Sequence, residues 1–133
     1  MTGIDTNVLV RYVTRDHPEQ HRAAKGHLES SCTQEEPGSV SLIVLCDLAR
    51  VPVSAHEAMG EGVARTVDQV LRTRQLQVER LDQVRVALAQ YKISKVDFAD
   101  CLIGRLRAEA GSDETVTSDQ DAARRRGWGE LDW

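Results

Sequence analysis

Asp5, Asp47, Asp97, Asp100, Asp119 and Asp121 are the side chains whose type and placement could do chemistry. Asp5 and the Asp119/Asp121 pair each follow a short apolar segment, and Asp47 lies between Cys46 and Leu48 in an apolar run. Asp97 and Asp100 are three apart, so a helix sets them one turn from each other on one face. Carboxylates gathered without partners repel one another, and a hard, oxygen-seeking Mg²⁺ or Mn²⁺ ion neutralises them. Magnesium keeps several waters, which leaves positions for phosphate oxygens and an attacking water. A bound ion lowers the pKa of that water and stabilises charge developing on a phosphate.

Each acid also has a plainer role. Asp5 and Asp100, taken singly, suit a helix cap or a solvated surface, and Asp97 suits a first-turn acid that complements the helix dipole. A charge embedded in an apolar stretch, as Asp47 is, needs a partner or a metal. Asp119 and Asp121 both follow the last expected strand, and either could face a ligand. Thr6, Asn7, Thr117 and Ser118 could hydrogen-bond a substrate, a metal-bound water or a neighbouring acid, with ordinary capping as the alternative.

The elements that must position these residues read as strands alternating with helices. Residues 3–13 predict a short strand that turns at Asp5-Thr6-Asn7 into a helix, and Pro18 suits the first turn of a second helix directing Ala23, Ala24 and Leu28 to the core. After a loop over 34–38, residues 39–42 predict a strand entering a helix over 43–51, which Pro52 should end or kink. A polar stretch over 56–62 leads to a helix over 63–74 with Val63, Val67, Val70 and Leu71 at helical spacing. Residues 76–81 alternate like a strand with one buried face, and Asp82 could cap a helix through Tyr91. A further helix starts within 95–100 with an apolar stripe of Cys101, Leu102, Ile103 and Leu106, and Gly111 suits its C-terminal end. Residues 114–118 are β-branched enough for a last strand, and the tail carries Arg124, Arg125, Arg126, Trp128 and Trp133.

This order predicts an α/β fold in which a short, mainly parallel central sheet is flanked by helices in three layers, with the ligand crevice at the carboxyl ends of the strands. A length of 133 residues predicts one domain over 1–133. With 41% apolar, 29% charged and 4% aromatic residues, the core must be mainly aliphatic. A net charge of −4 argues against nucleic-acid binding by a general excess of Lys and Arg, although bound cations reverse the local field. Met1 leads directly into Thr2-Gly3-Ile4 with no leader-like stretch, and no apolar run reaches membrane-spanning length, so a cytoplasmic protein without membrane association is expected. Cys32, Cys46 and Cys101 are widely spaced, which suits reduced thiols, with Cys46 and Cys101 packed in helices rather than acting as nucleophiles. His17, His21, His27 and His56 are expected to be solvated, and Arg11, Arg15, Lys95 and the Arg124 cluster either contact phosphate or form a solvated face.

In its motifs the chain resembles the PIN-domain ribonucleases, especially the VapC-type toxins of bacterial toxin–antitoxin pairs. Ile4-Asp5-Thr6-Asn7-Val8-Leu9-Val10 looks like that family's first acidic motif, and Asp97-Phe98-Ala99-Asp100-Cys101-Leu102-Ile103 like its third. Ser41-Leu42-Ile43-Val44-Leu45-Cys46-Asp47-Leu48 aligns with the second, and Val116-Thr117-Ser118-Asp119-Gln120-Asp121 resembles the closing one. The resemblance implies a PIN fold and a Mg²⁺- or Mn²⁺-dependent endoribonuclease. It also implies a homodimer and a small cognate antitoxin. Catalysis would rest on Asp5, Asp47, Asp100 and Asp119 or Asp121, with Asp5, Asp97, Asp100 and Asp119 toward the metal. The chain departs from the family pattern at Asp47, where Glu is usual, at Pro52, where a helix generally continues, and at Ala122, where an aromatic is common. These departures define the alternative expectation, a PIN-like module with weakened catalysis that binds RNA or protein. A nuclease acting on DNA is a third.

Overall fold

A computed structural model describes residues 1–51, 59–94 and 96–132. Pro52, with its expected helix stop, and His56, Lys95 and Trp133 lie outside the described residues. Contacts cluster into two compact units, Met1–Leu81 and Asp82–Trp133.

The first unit is built on short parallel strands: β1 (Thr2–Gly3), β2 (Gly38–Val40) and β3 (Leu76–Val78), in spatial order β1-β2-β3. Thr2 is opposite Gly38, which in turn is opposite Leu76, and Val40 is opposite Val78. Helices α1 (Thr6–Val13) and α2 (Pro18–Ser31) follow β1, α3 (Leu42–Ala49) follows β2, and α4 (Met59–Arg72) precedes β3. Parallel pairing requires such helical crossovers, and the buried side chains that the strands contribute are Val40, Leu76 and Val78. Val40 is fully buried in β2, and Leu9, Leu28, Leu45, Leu48, Val67 and Val70 converge on the same apolar interior. The sheet tolerates little bulk at Gly38, where a Cβ would stand 2.9 Å from Ile4 Cγ1 and 3.2 Å from Cys32 Sγ.

The second unit contains α5 (Leu81–Lys92, whose first residue closes the preceding unit), α6 (Phe98–Glu109), β4 (Thr115–Thr117), α7 (Gln120–Ala123) and β5 (Trp128–Glu130). Its strands pair in parallel, Thr115 opposite Trp128 and Thr117 opposite Glu130. Phe98 is completely buried and meets the Tyr91 ring edge-on at 6.1 Å. Arg105 Nε donates to Gln83 Oε1 at 2.6 Å, which ties α6 to α5. Helix α6 ends as its glycine predicts: Gly111 has φ +97°, its amide donates to the Ala108 carbonyl, and the Ser112 amide donates to the Arg107 carbonyl.

The expected α/β class with parallel strands is borne out. Several details differ. Helix α3 stops at Ala49, short of residue 51, and α4 begins at Met59, ahead of residue 63. Strand β3 ends at Val78 because Arg80 adopts φ 52°, which breaks an extended run, and α5 then starts at Leu81 with Asp82 inside its first turn rather than capping it. Ala23 is exposed whereas Ala24 and Leu28 are buried, and Ile103 is exposed with Leu106 only half-buried, so the buried face of α6 is centred on Phe98, Cys101 and Leu102. Strand β5 was not anticipated. Among the described residues no helix is long and apolar enough to cross a membrane.

Candidate functional site

In the first unit, the end of β1 delivers Asp5 to the start of α1. Asp5 occupies the N-cap position with extended backbone angles, φ −79° and ψ 159°, yet its carboxylate makes no cap hydrogen bond. Its backbone carbonyl accepts from the Leu9 amide at 3.2 Å. The next residue, Thr6, donates its hydroxyl to Asp47 Oδ2 at 3.3 Å, so the first acidic segment and the acid of α3 are brought side by side. Helix α3 is held at that place by two caps: Ser41 Oγ accepts from the Val44 amide at 3.2 Å, and Glu79 Oε1 accepts from the Leu42 amide at 3.1 Å.

Asp47 is exposed although its sequence neighbours are apolar. Cys46 and Leu48 adjoin it in sequence but project from other faces of the helix, and Leu45, Leu48 and Ala49 form the buried one. The partner that the apolar setting called for is the Thr6 hydroxyl, at the solvent edge.

In the second unit, Asp97 is the N-cap of α6 and, like Asp5, makes no side-chain cap bond. It precedes the helix rather than lying within it, and Asp100 occupies the first turn, half-buried. Asp119 behaves differently. It caps α7, its Oδ1 accepting from the Asp121 amide at 2.9 Å and the Ala122 amide at 3.2 Å, and its own amide donates to Thr117 Oγ1 at 3.1 Å. Asp121 is exposed, 3.8 Å from Arg124 Nη1. Asp119 therefore keeps only one oxygen clear of backbone bonding, whereas Asp121 keeps its carboxylate in solvent beside a cation.

Sequence reasoning missed three contacts that shape these segments. Arg125 is half-buried and donates Nη1 to Cys101 Sγ at 3.2 Å, which ties the residue beside Asp100 to the segment carrying Asp119 and Asp121. It is therefore no solvated member of a charge run. His21 is likewise not a solvated histidine: its Nδ1 is 3.0 Å from the Arg11 carbonyl and its ring stacks on Tyr12 with centroids 6.5 Å apart. Tyr91 stands by Asp97, and burial first, then the charges of Asp97 and Cys101, push its phenol above the ordinary value of 10.0. Each contact joins residues on different elements, so no local pattern announces it. His17 and His27 are exposed, Cys32 and Cys101 are buried and Cys46 is half-buried, as packing roles require. Asn7 and Ser118 are exposed.

The donors available at these positions are carboxylate oxygens, the ligand type that suits Mg²⁺ or Mn²⁺, and at Asp5 and Asp97 no cap bond competes for them. Among the described residues, no three His, Cys, Asp or Glu side chains form a group that could hold a metal ion.

Two outcomes follow from this geometry. Asp119→Ala removes a double cap and should cost about 1 kcal/mol in denaturant unfolding. Asp5→Ala and Asp97→Ala should each stay within about 0.5 kcal/mol of the parent chain; equal losses at all three positions would mean that Asp5 and Asp97 do cap their helices. The second outcome concerns Tyr91. Because its folded value is raised, the folded chain holds the phenol proton at pH values where the unfolded chain has lost it. This contribution is complete below 10.0 and disappears as pH rises through the folded value. In metal-free buffer, Asp97→Asn should bring the phenolate absorbance transition partway back, since burial remains; an unmoved transition would remove Asp97 as a cause.

The PIN domain family model matches the chain over residues 4–127, a span that contains every acidic segment described above. No curated protein matches the chain. PIN domains are typically nucleases, and they usually bind divalent metal ions. The chain belongs to the PIN domain family.

Proposed function

We propose that this PIN domain is a metal-dependent endoribonuclease, acting over residues 1–133 as one domain. The observation that carries the reading is the state of Asp5 and Asp97: both stand at helix starts in the acidic motifs, and neither carboxylate is engaged by the helix it precedes. Such carboxylates concentrate negative charge in solvent and are suited to a cation. Asp5, Asp47, Asp100 and Asp119 or Asp121 would hold Mg²⁺ or Mn²⁺, with Asp97 assisting.

When bound, the ion supplies an acidified water and a counter-charge for the phosphate. The chain's own residues do the rest. Thr6 fixes the orientation of Asp47 through its hydroxyl. Thr117 and the α7 amides hold Asp119, leaving Oδ2 outside those cap bonds. Asp47 is one methylene shorter than the glutamate usual in the second motif, and its exposed position leaves room for contact through a water. No histidine base is required.

The motifs Ile4-Asp5-Thr6-Asn7 and Asp97-Phe98-Ala99-Asp100 support a finer assignment, a VapC-type toxin working in the cytoplasm as a homodimer and restrained by a small antitoxin protein. Exposed Val116 and Leu131, at 57% and 46%, provide apolar surface on β4 and beyond β5 for a protein partner.

The test is cleavage of total cellular RNA by the purified chain freed of any antitoxin. Discrete fragments should form with Mg²⁺ or Mn²⁺ and vanish with EDTA, and Asp5→Asn and Asp100→Asn should each lower the rate by at least about a hundredfold. Metal-dependent cleavage retained by either variant would overturn the assignment. A folded chain that cuts no RNA with any metal would favour the non-cutting binding module.

A further inference from the structure

Helices α1 and α2 border an open groove of about 610 Å³ that the acidic chemistry does not use. We infer that this groove binds a purine nucleotide of single-stranded RNA beside the cleaved bond. The inference rests on the ribonuclease reading and names a substrate subsite for it.

The groove exists because of small residues. Ala23 and Ala24 on α2 face Val8 on α1, so the helices meet without side chains long enough to fill the space between them. Around this apolar floor stand Asn7 and Arg11 from α1 with Gln20 and His27 from α2. Asn7 and Arg11 are four apart and therefore share one face, about 6 Å apart along the axis. Among the described residues, none of the side chains lining the groove is a carboxylate, and Arg11 makes no ion pair.

The wall is also braced. The His21 ring is bonded to the Arg11 carbonyl and stacked on Tyr12, which fixes α1 against α2 at the Arg11 end. At the opposite end Asn7 lies two residues beyond Asp5, so the groove leads away from the first acidic motif.

This lining matches a nucleotide better than an apolar peptide. Volumes of roughly 300–1,000 Å³ with an apolar floor and a few convergent polar groups are typical of small-ligand sites. Guanidinium and side-chain amide groups are the partners that read purine edges, Arg to the acceptors of guanine and Asn or Gln to adenine. Single-stranded RNA offers its unstacked bases for such contacts and for stacking on Arg or His planes. The Arg11 charge also complements the phosphates on either side.

The experiment measures binding of a purine-only and a pyrimidine-only RNA oligonucleotide by fluorescence anisotropy in EDTA, so that cleavage plays no part. Two variants are compared with the parent chain: Ala23→Leu, which fills the groove from an exposed helix position, and Arg11→Gln, which removes the charge. Unchanged circular dichroism and thermal unfolding identify variants that fold. The purine oligonucleotide should bind the parent more tightly, and each folded variant should lose about tenfold of that affinity with little change toward the pyrimidine strand. Unaltered purine binding in both variants would overturn the proposal, including the case in which the groove takes a protein segment instead. Because the readout is binding without metal, failure here leaves the cleavage assay untouched. A chain that binds purine RNA through the groove but never cuts would sink the nuclease reading and the placement beside a cleaved bond, and would leave the groove as a purine-binding site.

Discussion

A carboxylate at the start of a helix ordinarily accepts hydrogen bonds from the first free amides, and the bond neutralises part of its charge while it anchors the turn. Asp5 and Asp97 hold that position without making that bond. Their charge is left to solvent or to a cation, and the amides of α1 and α6 are left to other partners. Asp119 shows the usual arrangement in the same chain, with two amides on one oxygen. The contrast separates acids that serve the fold from acids that the fold presents outward.

The rest of the structure serves to hold those outward acids in place. Parallel strands end where α1 and α3 begin, so each crossover carries its first residues to the same end of the sheet. Fully buried Leu9, Leu45 and Leu48 lock those helices down, and Gly38 permits the close approach of Ile4 and Cys32 beneath them. With the helices fixed, the Thr6 hydroxyl reaches Asp47 and Glu79 caps α3. In the second unit Phe98 is the corresponding anchor, buried in the turn that follows Asp97, and the Arg125 contact to Cys101 secures the closing segment.

What could be read from the sequence was local. The turn at Asp5-Thr6-Asn7, the proline at the start of α2 and the glycine that closes α6 each depend on the conformational preference of one or two residues, and each stands where expected. The acidic positions were legible through their motifs. What was not legible depended on packing. Asp47 stands among apolar sequence neighbours yet is exposed, because on a helix adjacent residues point to different faces. Strand β5 is a short Trp-Gly-Glu run with no alternating pattern. It pairs with β4 after the intervening α7, and on α6 a Cβ at Gly104 would lie within 2.8 Å of the Trp128 ring. His21, Tyr91 and Arg125 owe their settings to contacts between separate elements. The cap bonds that Asp5 and Asp97 fail to make are equally invisible, because Asp is a favoured cap by type alone.

Whether those uncapped carboxylates serve a cation is measured most directly by calorimetric titration of Mn²⁺ into the purified, metal-free chain and its Asp5→Asn variant. The account requires saturable Mn²⁺ binding to the parent chain and at least about a tenfold loss of affinity in the variant, with unfolding unchanged, since second ligands remain but one charge is gone. Equal Mn²⁺ affinity in the two chains, or no binding by a folded parent, would contradict it.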